Sequence, residues 1–535
     1  MAGAAEDNRS GAEGARSPLA ELLVVAAPAV VTMTSYTLMQ FVDTRIVAEI
    51  GPEAVAATGN GGIAAFVPAA AMFGMLGVIN TYVSQHLGAG RPERGAAYAW
   101  NGLWMTLAVW AVVLLPYAVV LPGVLSGLRE LFGVDPVAPA IREMESAYGR
   151  LLLVGMVFTI AARGIGHYFY GIHRANIVMI SAVTANALNV PITYALVVGA
   201  WRFPEMGVAG AALGTIIGGA VETAIPLALF LSPKYARELG TRRAWRPDLE
   251  RVKDIWRIGW PAGLMIGSEI VCWFVFMTVL IAGFGTAHNT AGMVALRYMH
   301  LSFMPAVGLS IAVTAVVGRQ IGAGRKDLVP ARTGLGLAVS LGYMGLCALC
   351  FVLFREPLVA FFVQGMNDGG DPEQVARIVE IGATVLIVAA AFQVFDAAAI
   401  CLTGALRGAG DTVWPGVVTM ALSWTCLLGL GTLFTHAMPG WGSIGPWVAA
   451  AIFITLLALA MAYRFYSGAW KRIEVIDRSG LAADAGEGVV PELPGIDAEV
   501  RGAAGAGVEA TPAAPATGPV GAGPAAAGAE ERRAT

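Results

Sequence analysis

One feature restricts this chain more than any other. Twelve times, an apolar run of about 20 residues or more returns, long enough to cross a ~30 Å hydrocarbon core as a helix. The runs fall near 19–47, 54–86, 95–122, 147–171, 177–200 and 207–232, then near 255–283, 290–320, 330–354, 376–403, 413–434 and 442–466. A segment in lipid must satisfy its backbone N–H and C=O groups internally, which for single runs of this kind leaves the helix. The expected fold is therefore an all-α membrane protein with twelve transmembrane helices. Charge agrees, because only 13% of the 535 residues are charged against about 25% in soluble domains. Residues 1–17 are polar and lack the apolar centre of a signal peptide, so they are expected to be disordered, with the first span acting as its own targeting signal. The tail, 467–535, is expected to be cytoplasmic and becomes Ala/Gly/Pro-rich, and beyond about 479 it is expected to bury too little apolar surface to fold.

Lys and Arg set the expected orientation. Turns after even-numbered spans hold Arg91, Arg94, Arg174, Arg325, Lys326, Arg407, Lys471 and Arg472, and the polar linker 233–254 adds a further cluster. Turns after odd-numbered spans hold few. The positive-inside rule then places both termini in the cytoplasm of a cell whose inner (plasma) membrane the chain crosses repeatedly. The sequence also repeats itself. LGAGR at 87–91 returns as IGAGR at 321–325, Gly171 and Arg174 return as Gly404 and Arg407, and Pro28 returns as Pro261. Six spans is an even number, so both halves enter from one side. Residues 18–232 and 255–466 are thus expected to form two six-helix bundles, an N-lobe and a C-lobe, related by a parallel repeat with a cleft between them.

Ionisable side chains inside spans are costly and normally face a cavity or a partner. Asp43, Arg163, Glu222, Glu269, Arg297 and Asp396 make up this group. Glu222 lies toward the cytoplasmic part of its helix, within snorkelling reach. Asp43, Glu269 and Asp396 lie deeper, either as core acids that tie helices together or as groups that exchange ions. Low dielectric disfavours the charged form of a carboxylic acid and a nearby cation restores it. Two acids sharing a cleft would attract a cation and repel each other when it leaves.

At these residues the chain resembles the multidrug and toxic compound extrusion (MATE) family, NorM-like branch, over about residues 18–466. The resemblance rests on Pro28 followed by FVDTRIVAEIGPEAVAA (41–57), on LNVPITYALVVGAWRFPEMGVAGAALGT (188–215), on GWPAGLMIGSE (259–269) and on FDAAAICLTGALRGAGDTVWP (395–415). It implies an antiporter that exports cationic or amphipathic small molecules against inward H⁺ or Na⁺, acting as a monomer. Glu269 and Asp396 would form a monovalent-cation site in the C-lobe. Asp43, with Asn186, Asn189 and Thr215, would line an N-lobe cavity whose protonation bends the first span at Pro28. Two positions depart from the family pattern. Thr193 stands where many members carry Asn or Asp, and Phe392 stands where a tyrosine can ligate the ion. Arg163 occupies the repeat position of Asp396, where it could neutralise Asp43 or take an anionic part of a cargo.

No GxxxxGK[ST] loop and no H-E-x-x-H motif occurs, so ATP-driven export and zinc hydrolysis have no support, and no cofactor, nucleic acid or enzymatic activity is expected. The nearest rival function is a flippase or exporter of lipid-linked saccharides or other anionic amphiphiles, which Arg163 and Arg297 keep in play. Trp201, Trp256, Trp441 and Trp470 near span ends read as membrane-interface anchors.

Overall fold

The computed structural model describes residues 17–132, 139–364 and 372–476, and among these residues the ordered elements are helices and turns. Twelve helices are long and apolar enough to span a bilayer. They are α1 (Pro18–Val47), α2 (Glu53–Gly88), α3 (Glu93–Gly127), α4 (Pro139–Gly171), α5 (Ala175–Val198) and α6 (Gly207–Phe230), then α7 (Leu249–Phe284), α8 (Thr286–Gly322), α9 (Val329–Leu353), α10 (Pro372–Gly408), α11 (Val413–Ala437) and α12 (Ile444–Tyr466). All twelve expected spans are present in order. The expected disorder of 1–17, apart from Ser17, and of the tail beyond about 479 lies outside the described residues.

Local chemistry explains where the helices begin. Ser17 accepts the amide of Ala20 at 3.2 Å, and Pro18, which has no N–H to leave unpaired, opens α1. α7 starts at Leu249, not near 255, because the Asp248 carboxylate accepts the Glu250 amide at 2.9 Å and so caps a polar turn ahead of the apolar run. α4 likewise starts at Pro139, ahead of its apolar window, and brings Glu145 and Tyr148 into the bundle. One anchor assignment needs correcting. Trp201, Trp256 and Trp441 are exposed as expected, but Trp470 is buried, stacked on Phe465 with its indole N–H on the Phe465 carbonyl at 2.9 Å.

The packing repeats as the sequence does. α1 packs on α5, α5 on α6, and α4 on α2, α3 and α6. Six helices later α7 packs on α11, α11 on α12, and α10 on α8, α9 and α12. The two sets meet through α1 on α8, α7 on α2, and a crossing of α2 with α8. These seams need glycine at matched positions. A methyl on Gly308 would overlap the backbone of Ala29, and one on Gly74 would overlap the backbone of Ala262. Where α2 crosses α8, a methyl on Gly88 would strike the Arg319 carbonyl and one on Gly322 the Gln85 carbonyl. Each member of a pair has its counterpart 233 or 234 positions away (29 and 262; 74 and 308; 85 and 319; 88 and 322). The first glycine of the LGAGR and IGAGR turns is therefore a point of close approach between the two sets of helices.

Candidate functional site

In the second set of helices, Glu269 sits on α7 two turns past Pro261, and Asp396 sits in the middle of α10. Both are half-buried, and Asp396 lies within electrostatic reach of Glu269 although α7 and α10 do not pack along one another. The two carboxylates thus share one region without a helix seam to hold them there. Neutral polar groups surround them that the sequence did not single out. Ser268, beside Glu269, accepts the Trp424 indole N–H at 2.9 Å, and Cys272 lies within reach of Ser268 and Ser423. Gln393, next but two before Asp396, donates to the Ser302 hydroxyl at 2.6 Å. Phe392 is packed into the core at 2% exposure.

The first set places different groups at the equivalent positions. Glu269 corresponds to Tyr36 and Asp396 to Arg163 (269 − 233 = 36; 396 − 233 = 163). The Arg163 guanidinium lies over the Tyr36 ring, 4.1 Å from its centroid, with the Phe73 ring at 5.9 Å. The Tyr36 hydroxyl donates to a carboxylate oxygen of Glu222 on α6. Glu222 therefore points into the bundle and does not snorkel, and Arg163 is tied to Tyr36 and Glu222, not to Asp43. Arg163 and Tyr148 are fifteen residues apart on α4 (163 − 148), roughly 22 Å along its axis, and it is Tyr148 that faces Asp43.

Asp43 lies in the last turns of α1, toward the end opposite the basic turns. One of its carboxylate oxygens is buried without a hydrogen-bond partner. Around it an apolar cluster gathers Val42, Ile46, Val190, Val197 and Ala211 with Tyr148. One turn before Tyr148, Glu145 is fully buried and accepts the Asn60 amide at 2.8 Å. Glu145 was missed because it fell just outside the apolar window of its span. The three polar residues grouped with Asp43 do not bond to it. Asn186 donates to Ser35 at 2.7 Å, eight residues before Asp43 and thus roughly 12 Å along α1. Thr193 donates to Asn189 at 3.1 Å, and both are buried against Gly214 and Gly218 of α6. Thr215 returns its hydroxyl to the Ala211 carbonyl at 3.1 Å. Arg297 is exposed.

Polar contacts between the two sets of helices concentrate at the end that carries the basic turns. Glu21 of α1 pairs with Arg332 of α9 at 3.1 Å and Arg319 of α8 at 3.8 Å, and accepts the Gln320 amide at 3.1 Å. Its repeat counterpart is Asp254 of α7 (21 + 233). The Asp254 carboxylate accepts the Tyr98 hydroxyl of α3 at 2.9 Å, and its backbone carbonyl accepts the Tyr82 hydroxyl of α2 at 2.9 Å. Thr81 and Gln85 of α2 donate to the carbonyls of Arg407 and Gly408 at 2.8 and 3.0 Å. The first helix of each set is thus clasped by the second and third helices of the other.

This arrangement can be compared with known proteins. The MatE family profile matches residues 28–195 and 265–430, one block in each half. A probable multidrug resistance protein NorM of Pseudomonas putida is 28% identical over 470 residues, covering 87% of this chain and 97% of that protein. Multidrug resistance protein PmpM of Pseudomonas aeruginosa is 27% identical over 478 residues, covering 86% and 94%. Among solved structures, an outward-facing multidrug resistance MATE family transporter of the MOP superfamily superposes with a TM-score of 0.75 at 21% identity, covering 86% of this chain and 98% of that one. With two matched blocks spanning most of both helix sets, the chain belongs to the MatE family and is a multi-pass membrane transporter.

Proposed function

We propose that the protein is a cation-coupled antiporter that exports cationic or amphipathic small molecules by alternating access between an N-lobe (18–232) and a C-lobe (255–466), with H⁺ or Na⁺ as the coupling ion. The observation that carries this reading is the Glu269–Asp396 pair, two acids brought within electrostatic reach inside an apolar bundle. Charges so placed are costly unless an ion or a proton visits them. The names of the relatives, multidrug resistance proteins, support small-molecule cargo. With the positive-inside rule, the clasped end is the cytoplasmic one and both termini lie there. The state described here is then closed to the cytoplasm. Asp43, with its unpaired carboxylate oxygen at the opposite end of the N-lobe, is a second acid open to protonation in the transport cycle.

Reconstituted vesicles carrying a fluorescent organic cation, with a pH gradient or a Na⁺ gradient imposed separately, test the proposal. Export should follow one of the gradients and collapse in Glu269→Gln. Export indifferent to both gradients would overturn it.

A further inference from the structure

The two lobes are built on one plan, yet their interior pairs differ in sign. The C-lobe holds two acids. The N-lobe holds an arginine at the equivalent of Asp396 and a tyrosine at the equivalent of Glu269. An arginine in the middle of a spanning helix ordinarily pairs with an acid or with backbone carbonyls. Arg163 makes no hydrogen-bonded pair of either kind, and Glu222 acts on it through charge alone. Among the described residues its contacts are the faces of Tyr36 and Phe73 and the electrostatic influence of Tyr36, Glu222 and Tyr170. No hydrogen bond from its guanidinium is present, and its nitrogens are not among the buried polar atoms that lack a partner. Its donors therefore keep accessible surface, and Arg163 is half-buried. Glu222, the acid that could have paired with it, is engaged by the Tyr36 hydroxyl.

We infer that Arg163 is the anion-accepting element of an N-lobe cargo subsite, which takes the carboxylate of an aromatic or amphipathic compound. The guanidinium is a planar fork of five donors that fits a carboxylate through two parallel hydrogen bonds. The Tyr36 ring lies 4.1 Å from the guanidinium carbon, a cation–π contact that leaves the N–H donors for an acceptor. The Phe73 ring, 5.9 Å from the same carbon, offers an apolar surface for the body of the cargo. Glu222 sets the strength of the subsite. Its charge partly offsets Arg163 through the intervening tyrosine, so an arriving carboxylate competes with it. A zwitterionic aromatic compound fits the two lobes together, its acid group on Arg163 and its basic group attracted to the acidic C-lobe. This inference rests on the exporter reading only in supplying a cargo; it is a statement about equilibrium binding and needs no coupling ion.

The test uses the full-length protein in lipid nanodiscs, without gradients, and two probes that differ by one group: tetramethylrhodamine, which carries a free carboxylate, and its methyl ester. Fluorescence anisotropy gives the ratio of acid to ester affinity. Arg163→Gln should lower that ratio about tenfold, the scale of a lost charge-assisted pair. Arg163→Lys, which keeps the charge and loses the fork, should fall between the two. Glu222→Gln should raise the ratio by removing the competing charge. Ester binding in each variant reports that the pocket is still folded. A ratio unchanged in both Arg163→Gln and Glu222→Gln overturns the inference, and it does so whether or not the vesicle assay finds ion-driven export.

Discussion

Glu21→Gln should loosen the clasped end, and the structure allows the size of the effect to be worked out. The Glu21 side chain is 12% exposed and its Arg332 partner 16%. The pair is therefore only weakly screened by water, unlike an open surface bridge. Its second arginine, Arg319, is 28% exposed and 3.8 Å away, and contributes less. The Arg332 Nε makes an ion pair with Glu21 and no hydrogen bond. The loss is therefore that of a partly buried ion pair, above the ~1 kcal/mol of an exposed bridge and below the ~3–5 kcal/mol of breaking a fully buried one. The substitution keeps the side-chain volume and a hydrogen bond to Gln320 while removing the charge. It leaves Arg332 and Arg319 without their shared carboxylate. About 2 kcal/mol should be lost, all of it from the state in which α1 touches α8 and α9. That corresponds to roughly 30-fold, so a closed-to-open ratio of about 100 would fall to about 3.

Asp254→Asn should act in the same direction and more weakly. Its inter-set partner is the neutral Tyr98 hydroxyl, and its nearest arginine, Arg251, is on the same helix at 3.5 Å. The two clasps share no partner, so their contributions should add. The double variant would lose about 3 kcal/mol, roughly 150-fold, which takes the ratio below one. Spin labels at Glu238 and Asp327, both exposed and in opposite halves, read the opening by pulsed dipolar spectroscopy. Expected is a second, longer distance that grows from wild type through Asp254→Asn and Glu21→Gln to the double variant. A distance distribution identical in wild type and the double variant refutes the clasp.

Three further outcomes are expected. Glu269→Gln and Asp396→Asn should each remove most ion-driven export, and the double variant should be little worse than either, because two groups that bind one ion act as a unit; losses that multiply in a flux assay would separate them. Asp43→Asn, nearly isosteric with the wild type, should stop export while leaving yield and thermal stability near normal, and retained export would return Asp43 to a purely structural role. Gly308→Val should cost about 1–3 kcal/mol through overpacking against Ala29, with Gly74→Val similar because it makes the same crossing in the other half; thermal shift assays that rank both with a lipid-facing Gly→Val control would contradict the close approach.

Much of this fold was legible because lipid leaves so few options. An apolar run of span length can only be a helix, and a buried charge is costly enough that Glu269 and Asp396 stand out in the sequence alone. Direction around the helix was harder to read. α5 is apolar on nearly all sides, so nothing in its pattern says that Asn189 and Thr193 turn toward Gly218 and Gly214 while Asn186 turns toward Ser35. Glu145 was hidden by a helix that runs past its apolar window, since the start of α4 lies where the hydropathy signal has already faded. Tyr36 escaped because a tyrosine in a membrane span carries no obvious cost. It becomes visible only when the repeat offset is applied to Glu269. The same offset links Glu21 to Asp254, two acids at the ends of spans that look like ordinary solvated charges one at a time.

The repeat therefore separates two kinds of information. What returns in the same chemical type after 233 or 234 positions is mechanical. It comprises the prolines at 28 and 261, the crossing glycines at 74 and 308 and at 88 and 322, and the clasping acids at 21 and 254. The proposed alternating access would need such features in both halves, because each half would have to seat against the other with the same geometry. What does not return is chemical: Tyr36 with Arg163 on one side, Glu269 with Asp396 on the other, and Asp43 with no acid at its own counterpart, Phe276, where α7 passes into a π-helical turn. On the proposed antiport reading, a twin of the acid pair in the first half would give a second cation site, and ion and cargo would compete for the same chemistry in both halves. On that reading, keeping the acids in one half and the arginine in the other would let a shared motion act on two differently charged interiors.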